Sequence, residues 1–174
     1  MKKWFFLATA LVLVFCSFVF YRNNSLSNVN ITRDAVFFVH NEPSSLTPTS
    51  IHIKGTLHTP LFRQNKFVGK IIIDEFDFTR SDTTFNIYVT LKKNGVFMGT
   101  LAYQSPTYPF PFTEQSLIWF DKKLENISIL LTTSWGINKS NKNAFIVTGT
   151  DYQDAIDIQK KMRDKFGTDF VPKK

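Results

Sequence analysis

The stretch Asn86–Tyr103, NIYVTLKKNGVFMGTLAY, carries the clearest local fold signal in the sequence. Its central pair, Asn94-Gly95, separates two runs of strand-forming residues, and both residues tolerate the positive φ that a type I′ hairpin turn requires. Such a turn fixes the register of the two strands. The sequence therefore predicts an antiparallel hairpin with these partners: Leu91 with Met98, Val89 with Thr100, Ile87 with Ala102, Lys92 with Phe97, Tyr88 with Leu101 and Asn86 with Tyr103.

Apolar and polar residues alternate in the region before this hairpin. Ile51–Leu57 has one apolar and one polar face, which is typical of a half-buried strand. Phe67–Phe78 is apolar on both alternations, so we expect a central strand in which Asp74, Glu75 and Asp77 mark a bulge or the strand end. Further strands are expected at Asp34–Val39, Leu117–Phe120, Ile127–Thr132 and Ala144–Thr148, and loops at Glu42–Ser50, Ser105–Thr113 and Trp135–Asn143.

An amphipathic helix is predicted near the C-terminus. Asp151 is a favourable N-cap, and Gly167 is a natural stop. Apolar residues between them recur at spacings of three and four, so one stripe should pack on the sheet. The stripe consists of Tyr152, Ala155, Ile156 or Ile158, Met162 and Phe166. These patterns predict an α+β domain, in which a mainly antiparallel sheet of about six to eight strands carries one C-terminal helix packed on it.

An uncharged apolar segment, Trp4–Tyr21, follows two lysines at the N-terminus. As a helix it would be roughly 27 Å long, enough for the hydrocarbon core of a bilayer. Its Leu, Val and Phe residues favour insertion by roughly 4 kcal/mol, and its aromatic ends suit the two interfaces. The segment therefore predicts a single-pass transmembrane signal anchor with Met1–Lys3 in the cytoplasm, because positive flanking residues stay on that side.

Two other interpretations of this segment stay open. A cleaved signal peptide would end in small residues, and the serines that follow the segment offer only a weak cleavage site. A lipoprotein would carry its lipid on Cys16, but Phe15 occupies a position where a small residue is expected. On the anchor interpretation, residues 22–45 form a tether and lead-in, and residues 46–170 form a β-rich extracytoplasmic domain.

The composition argues against several classes of function. Cys16 is the only cysteine, so the domain has no internal disulfide and no cysteine nucleophile, and a bacterial envelope is the expected setting. The formal net charge is +7, and the two N-terminal lysines account for two of these charges, which leaves +5. Basic residues occur singly or in pairs, so no nucleic-acid-binding arm is predicted. Anionic lipid or an envelope polymer is the charged partner that this surplus favours.

Catalytic and metal-binding motifs are not evident. His52 and His58 share the polar face of one strand, but six residues span about 20 Å there, too far to share a metal ion. The main alternative to a binding protein is an envelope hydrolase that uses Asp74, Glu75 or Asp77 with one of these histidines. We predict no enzyme, no metal and no cofactor.

The remaining functional candidate is a group of aromatic residues in and around the proline-rich loop. A rigid aromatic loop suits contact with a sugar, a peptide or a lipid, although the same rings could instead cap the core of the sheet. The candidate ligand or partner surface consists of Tyr103, Tyr108, Phe110, Phe112 and Trp119.

Two stretches resemble small N-terminally membrane-anchored β-rich proteins of unknown function from Gram-positive bacteria. They are HIKGTLHTPLFRQNKFVGKIIIDEFDFT (His52–Thr79) and LIWFDKKLENISILL (Leu117–Leu131), followed by a short helix. The resemblance covers most of Ile51–Phe166 and implies an envelope location, but it brings no catalytic residue.

These observations predict a membrane-anchored extracytoplasmic binding, assembly or sensing module of the bacterial cell envelope. The N-terminus would lie in the cytoplasm and the C-terminal domain outside the cell membrane. The alternatives are the envelope hydrolase and a purely structural envelope protein, which a stoichiometric partner recovered from membranes would reveal.

Overall fold

The computed structural model describes residues 25–60, 63–104, 113–131 and 143–172, together with helical residues 4, 9–14 and 17 near the N-terminus. From residue 25 onward the described chain forms nine strands and two helices. They are β1 (Ser25–Val39), β2 (Glu42–Thr59), β3 (Lys66–Ile73), α1 (Phe78–Ser81), β4 (Thr83–Thr84), β5 (Ile87–Lys93), β6 (Val96–Gln104), β7 (Thr113–Asp121), β8 (Ile127–Leu131), β9 (Ala144–Thr148) and α2 (Tyr152–Phe166).

Antiparallel pairing joins these strands into one sheet that closes on itself. The neighbours run β4-β6-β5-β3-β2-β1-β9-β8-β7, and an additional pairing of β6 with β7 completes an up-and-down barrel. Most neighbours in the sheet are also neighbours in the sequence, as short connections favour. The predicted antiparallel sheet with a C-terminal helix packed on it is confirmed. The closure of the sheet was not predicted.

The β5–β6 hairpin follows the predicted register near its turn and departs from it further along. Asn94 and Gly95 have φ values of 46° and 82°, and the pairs Leu91–Met98 and Lys92–Phe97 are confirmed. A β-bulge then places Val89 opposite Gly99. The predicted pair Val89–Thr100 is therefore wrong, because the extra residue of the bulge shifts the register by one. Asn86–Tyr103 is also wrong, because Tyr103 pairs with Thr84 of β4. The predicted pairs Tyr88–Leu101 and Ile87–Ala102 stay predictions.

The first hairpin is longer than the sequence suggested. β1 and β2 pair continuously from Ser25 opposite Thr59, with one irregularity near the turn, to Val39 opposite Glu42. The expected tether is therefore wrong where β1 begins at residue 25, whereas the strand expected at Asp34–Val39 is confirmed as the second part of β1. The predicted loop at Glu42–Ser50 is also wrong, because these residues belong to β2. Pairing with β3 begins only at Ile51, so the proline-containing part of β2 is an edge strand, where proline is tolerated.

Apolar side chains fill the inside of the barrel. The largest are fully buried: Phe67, Phe97, Tyr103, Phe120, Ile53 and Leu57. Gly55 and Gly69 lie directly opposite each other in β2 and β3. A Cβ on Gly55 would lie 2.4 Å from the carbonyl oxygen of Val68. Only glycine permits such a close approach of the two strands at this point.

Helix α2 packs on the outside of the barrel. Asp151 caps it by accepting a hydrogen bond from the Asp154 N–H, and Gly167 ends it with a φ of 88°. Its buried residues are Ala155, Gln159, Met162 and Phe166. They cover an outward-facing layer that consists of Val36 and Phe38 of β1, Phe145 and Val147 of β9, Val96 of β6 and Trp119 of β7. The predicted stripe is confirmed: Ala155, Met162 and Phe166 are buried, and Tyr152, Ile156 and Ile158 are partly buried against the same clusters. The buried Gln159 was missed.

The predicted anchor, Trp4–Tyr21, lies largely outside the described residues. Among the residues that are described, no helix has the length and hydropathy needed to cross a membrane. The described apolar residues of this segment are exposed: Trp4, Leu11, Val12, Leu13 and Val14.

Candidate binding face and groove

The outer face of β2 and β3 lies away from the two apolar clusters beneath helix α2. Ile51, Ile53 and Leu57 of β2 point into the barrel and are buried, so the residues between them point outward. His52 and Lys54 are among these outward residues and reach solvent. We call the basic residues of this region, Lys54, His58, Arg63, Lys66 and Lys70, the basic face.

Two lysines of the basic face are direct cross-strand neighbours. Lys54 of β2 pairs with Lys70 of β3. The Lys70 ammonium donates to the backbone carbonyl of Arg80. Within the described residues, Lys54, Arg63 and Lys66 take part in no ion pair. Because like charges directly opposite each other destabilise a sheet, this arrangement has a cost for folding that an anionic ligand would remove.

A chain of polar contacts on the same outer face of the sheet joins four side chains: Thr32, His52, Asp74 and Arg80. His52 Nε2 lies 3.0 and 3.1 Å from the two carboxylate oxygens of Asp74, which can only accept, so Nε2 carries a proton. Nδ1 lies 2.9 Å from the Thr32 hydroxyl, which donates to it when the ring is neutral. Arg80 also donates to Asp74. The structure therefore brings together His52 and Asp74 of the hydrolase alternative.

The other residues of that alternative lie elsewhere. Glu75 and Asp77 are exposed in the turn after β3. The backbone N–H of Glu75 donates to the Thr49 hydroxyl, which ties this turn to β2. His58 is on β2 but belongs to a separate groove at the far end of the strand. Over the part of the chain that the structure describes, no three His, Cys, Asp or Glu side chains form a group that could hold a metal ion.

The groove lies where β1 begins, at one end of the basic face. It has a volume of about 480 Å³. Its floor is one cross-strand row: Leu26 of β1 opposite His58 of β2, His58 opposite Lys66 of β3, and Lys66 opposite Tyr88 of β5. Arg63, in the connection between β2 and β3, adds a further cation. The groove thus has a cationic centre between two apolar ends.

The predicted aromatic surface divides into a buried part and a part outside the described residues. Tyr103 is inside the barrel, where its hydroxyl donates to the Ile71 carbonyl at 2.9 Å and burial raises the pKa of the phenol above its ordinary value. Trp119 lies beneath α2, with its ring 5.1 Å from that of Phe170. Both are 0% exposed, so neither offers a surface to a ligand. Tyr108, Phe110 and Phe112 lie outside the described residues, and their role stays a prediction.

Comparisons with protein-family models, with curated proteins and with solved structures find no significant match to this chain. The resemblance to anchored Gram-positive proteins therefore stays a prediction.

Proposed function

We propose that the chain is a membrane-anchored extracytoplasmic binding module of the bacterial cell envelope, and that the basic face binds an anionic envelope component. The observation that carries this proposal is the direct opposition of Lys54 and Lys70 on an exposed sheet face, beside further cations without ion pairs among the described residues. Structural surfaces more often alternate charges of both signs.

The electrostatics of the face favour a ligand with several negative charges. Lys54, Lys66 and Lys70 lie on two adjacent strands, about 5 Å apart in the pairing direction. A single carboxylate would neutralise only one of them. A phosphate-containing polymer or a lipid surface would meet all three at once and would remove their mutual repulsion.

The N-terminal segment supports a location at the membrane. It is uncharged and apolar, and its described residues Leu11–Val14 are 60–69% exposed, so the rest of the protein does not cover them. A lipid environment would bury these side chains favourably. The same segment, with its preceding lysines, supports an N-terminus in the cytoplasm and the barrel outside.

An immobilised polyphosphate tests the binding surface. The detergent-solubilised full chain should bind it, and Lys54→Gln/Lys70→Gln should weaken binding by roughly 1 kcal/mol for each lost cation. The matched control, Lys160→Gln/Lys161→Gln, removes the same charge from exposed positions of α2. Equal losses in the two variants would show that only net charge matters, and would contradict the proposed surface.

The envelope hydrolase stays a second candidate because of one observation, the Thr32–His52–Asp74 chain. A hydroxyl, an imidazole and a carboxylate in this order have the roles of a nucleophile, a base and an orienting group. A fluorophosphonate probe would report such a nucleophile. Labelling that Thr32→Val and His52→Gln both abolish would favour the hydrolase, whereas the binding proposal predicts no labelling of Thr32.

A further inference from the structure

We infer that the groove binds the phosphate headgroup of an anionic phospholipid in the membrane that holds the N-terminal segment. This inference rests on the proposed anchoring and adds the ligand and its site. Three features carry it: the order of residues along the groove, the chemistry of its ends, and its distance from the apolar segment.

The basic residues of the groove lie together at its centre, where they can surround a phosphate headgroup. Lys66 and His58 are adjacent on β3 and β2, and Arg63 lies beside them in the same groove. Arginine binds phosphate oxygens through two parallel N–H groups, and lysine adds a point charge. The volume of about 480 Å³ lies within the range of about 300–1,000 Å³ that is typical of small-ligand sites.

The two ends of the groove distinguish a lipid from a soluble anion. Leu26 is 69% exposed and Tyr88 is 48% exposed, although both are large apolar side chains. A free phosphate or a wall polymer would leave these side chains in water. A phospholipid would cover them with its glycerol and upper acyl carbons, and tyrosine is favoured at such interfaces.

The position of the groove limits its distance from the membrane. Leu26 follows the last residue of the apolar segment, Tyr21, by only five positions. A fully extended chain of that length spans at most about 18 Å. Because Leu26 forms one end of the groove, the groove cannot move far from the end of the segment. A headgroup of the same membrane is therefore within its reach.

Lipid-dependent fluorescence quenching in the full chain tests this inference. Asn86 is exposed and precedes Tyr88, one end of the groove, by two residues. A fluorophore at Asn86→Cys, in a Cys16→Ser background, would therefore report contact beside the groove, and one at Gln153→Cys on α2 would serve as the control. The chain would be reconstituted into phosphatidylcholine vesicles with or without phosphatidylglycerol, with a quencher attached to the lipid headgroups. We expect stronger quenching at position 86 when phosphatidylglycerol is present, and no change at position 153.

Substitutions in the groove identify the residues responsible. Arg63→Gln and Lys66→Gln should each weaken docking roughly fivefold. Lys160→Gln/Lys161→Gln should leave it unchanged. Equal quenching with and without phosphatidylglycerol, or quenching that survives Arg63→Gln/Lys66→Gln, would overturn the inference.

Two further controls separate the inference from the proposed function. If the chain does not float with the vesicles after alkaline washing, the anchoring fails and the inference falls with it. If the chain floats and soluble poly(glycerol phosphate) occupies the groove while phosphatidylglycerol does not, the lipid inference is wrong and the basic face keeps its proposed role.

Discussion

Lys54 of β2 lies directly opposite Lys70 of β3, on a face of the barrel that lies away from the apolar clusters beneath helix α2. The Lys70 ammonium donates to the Arg80 carbonyl, whereas Lys54 is exposed and makes no ion pair within the described part of the chain. A sheet selected for stability alone would place an acidic residue at one of these positions.

The first prediction concerns this pair. Lys54→Glu should stabilise the fold by about 0.2–1 kcal/mol, because it replaces a repulsion with an attraction, and it should also weaken polyphosphate binding. Urea unfolding at low and high salt measures the effect, which should shrink as salt screens the charges. Lys160→Glu on α2 is the control. A destabilised Lys54→Glu variant would show that the two ammonium groups do not repel each other.

A second prediction concerns the opposed glycines of β2 and β3. Gly55→Ala should destabilise the protein by about 1–3 kcal/mol, because the new Cβ would overlap the Val68 carbonyl and force the strands apart. In Gly95→Ala the new Cβ meets no atom within 4 Å, and only the φ of 82° opposes it, so about 1 kcal/mol is expected. Thermal unfolding of both variants measures the two losses of stability. An unchanged Gly55→Ala protein would contradict the close approach of the strands.

The third prediction concerns the N-cap of α2. Asp151→Ala should cost about 1 kcal/mol of stability, because the Asp154 N–H loses its acceptor. Asp151→Asn removes the same charge from the same position but keeps a side-chain oxygen that can accept from the Asp154 N–H, so it should cost less. Chemical unfolding of the two variants separates capping from charge. Equal losses in Asp151→Ala and Asp151→Asn would show that Asp151 acts only through its charge.

A fourth prediction separates Tyr103 from the binding surface. Tyr103→Phe removes the hydroxyl that donates to Ile71 inside the barrel, so it should destabilise the fold by about 1–2 kcal/mol. Polyphosphate binding by the folded variant should equal that of the wild type. If Tyr103→Phe has normal stability but does not bind polyphosphate, Tyr103 belongs to the ligand surface.

Local signals in the sequence account for the elements that were predicted correctly. The Asn94-Gly95 turn and the Asp151 cap each depend on a few adjacent residues, and both are present in the structure. The first half of β1 was missed because its outward residues Asn28, Asn30 and Thr32 are polar and resemble a linker. Its inward residues were too few to reveal the alternation.

The groove could not be predicted, because its residues come from four strands. Leu26, His58, Lys66 and Tyr88 become neighbours only through the registers of three strand pairs. The sequence predicted the polar face of β2, but it did not show that the register with β3 places Lys70 beside Lys54. Trp119 was misplaced for a similar reason, since nothing near it indicates that α2 covers its strand.

Lysine labelling of intact cells tests the central claim most directly, that the basic face is an occupied binding surface outside the cell membrane. A membrane-impermeant acylating reagent would be applied to cells and to the purified chain, and each lysine would be compared with itself by mass spectrometry. We predict that Lys160 and Lys161 react equally in both samples, whereas Lys54, Lys66 and Lys70 react less in cells. Full reactivity of these three in cells would contradict an occupied face, and protection of Lys160 and Lys161 as well would contradict the extracytoplasmic location.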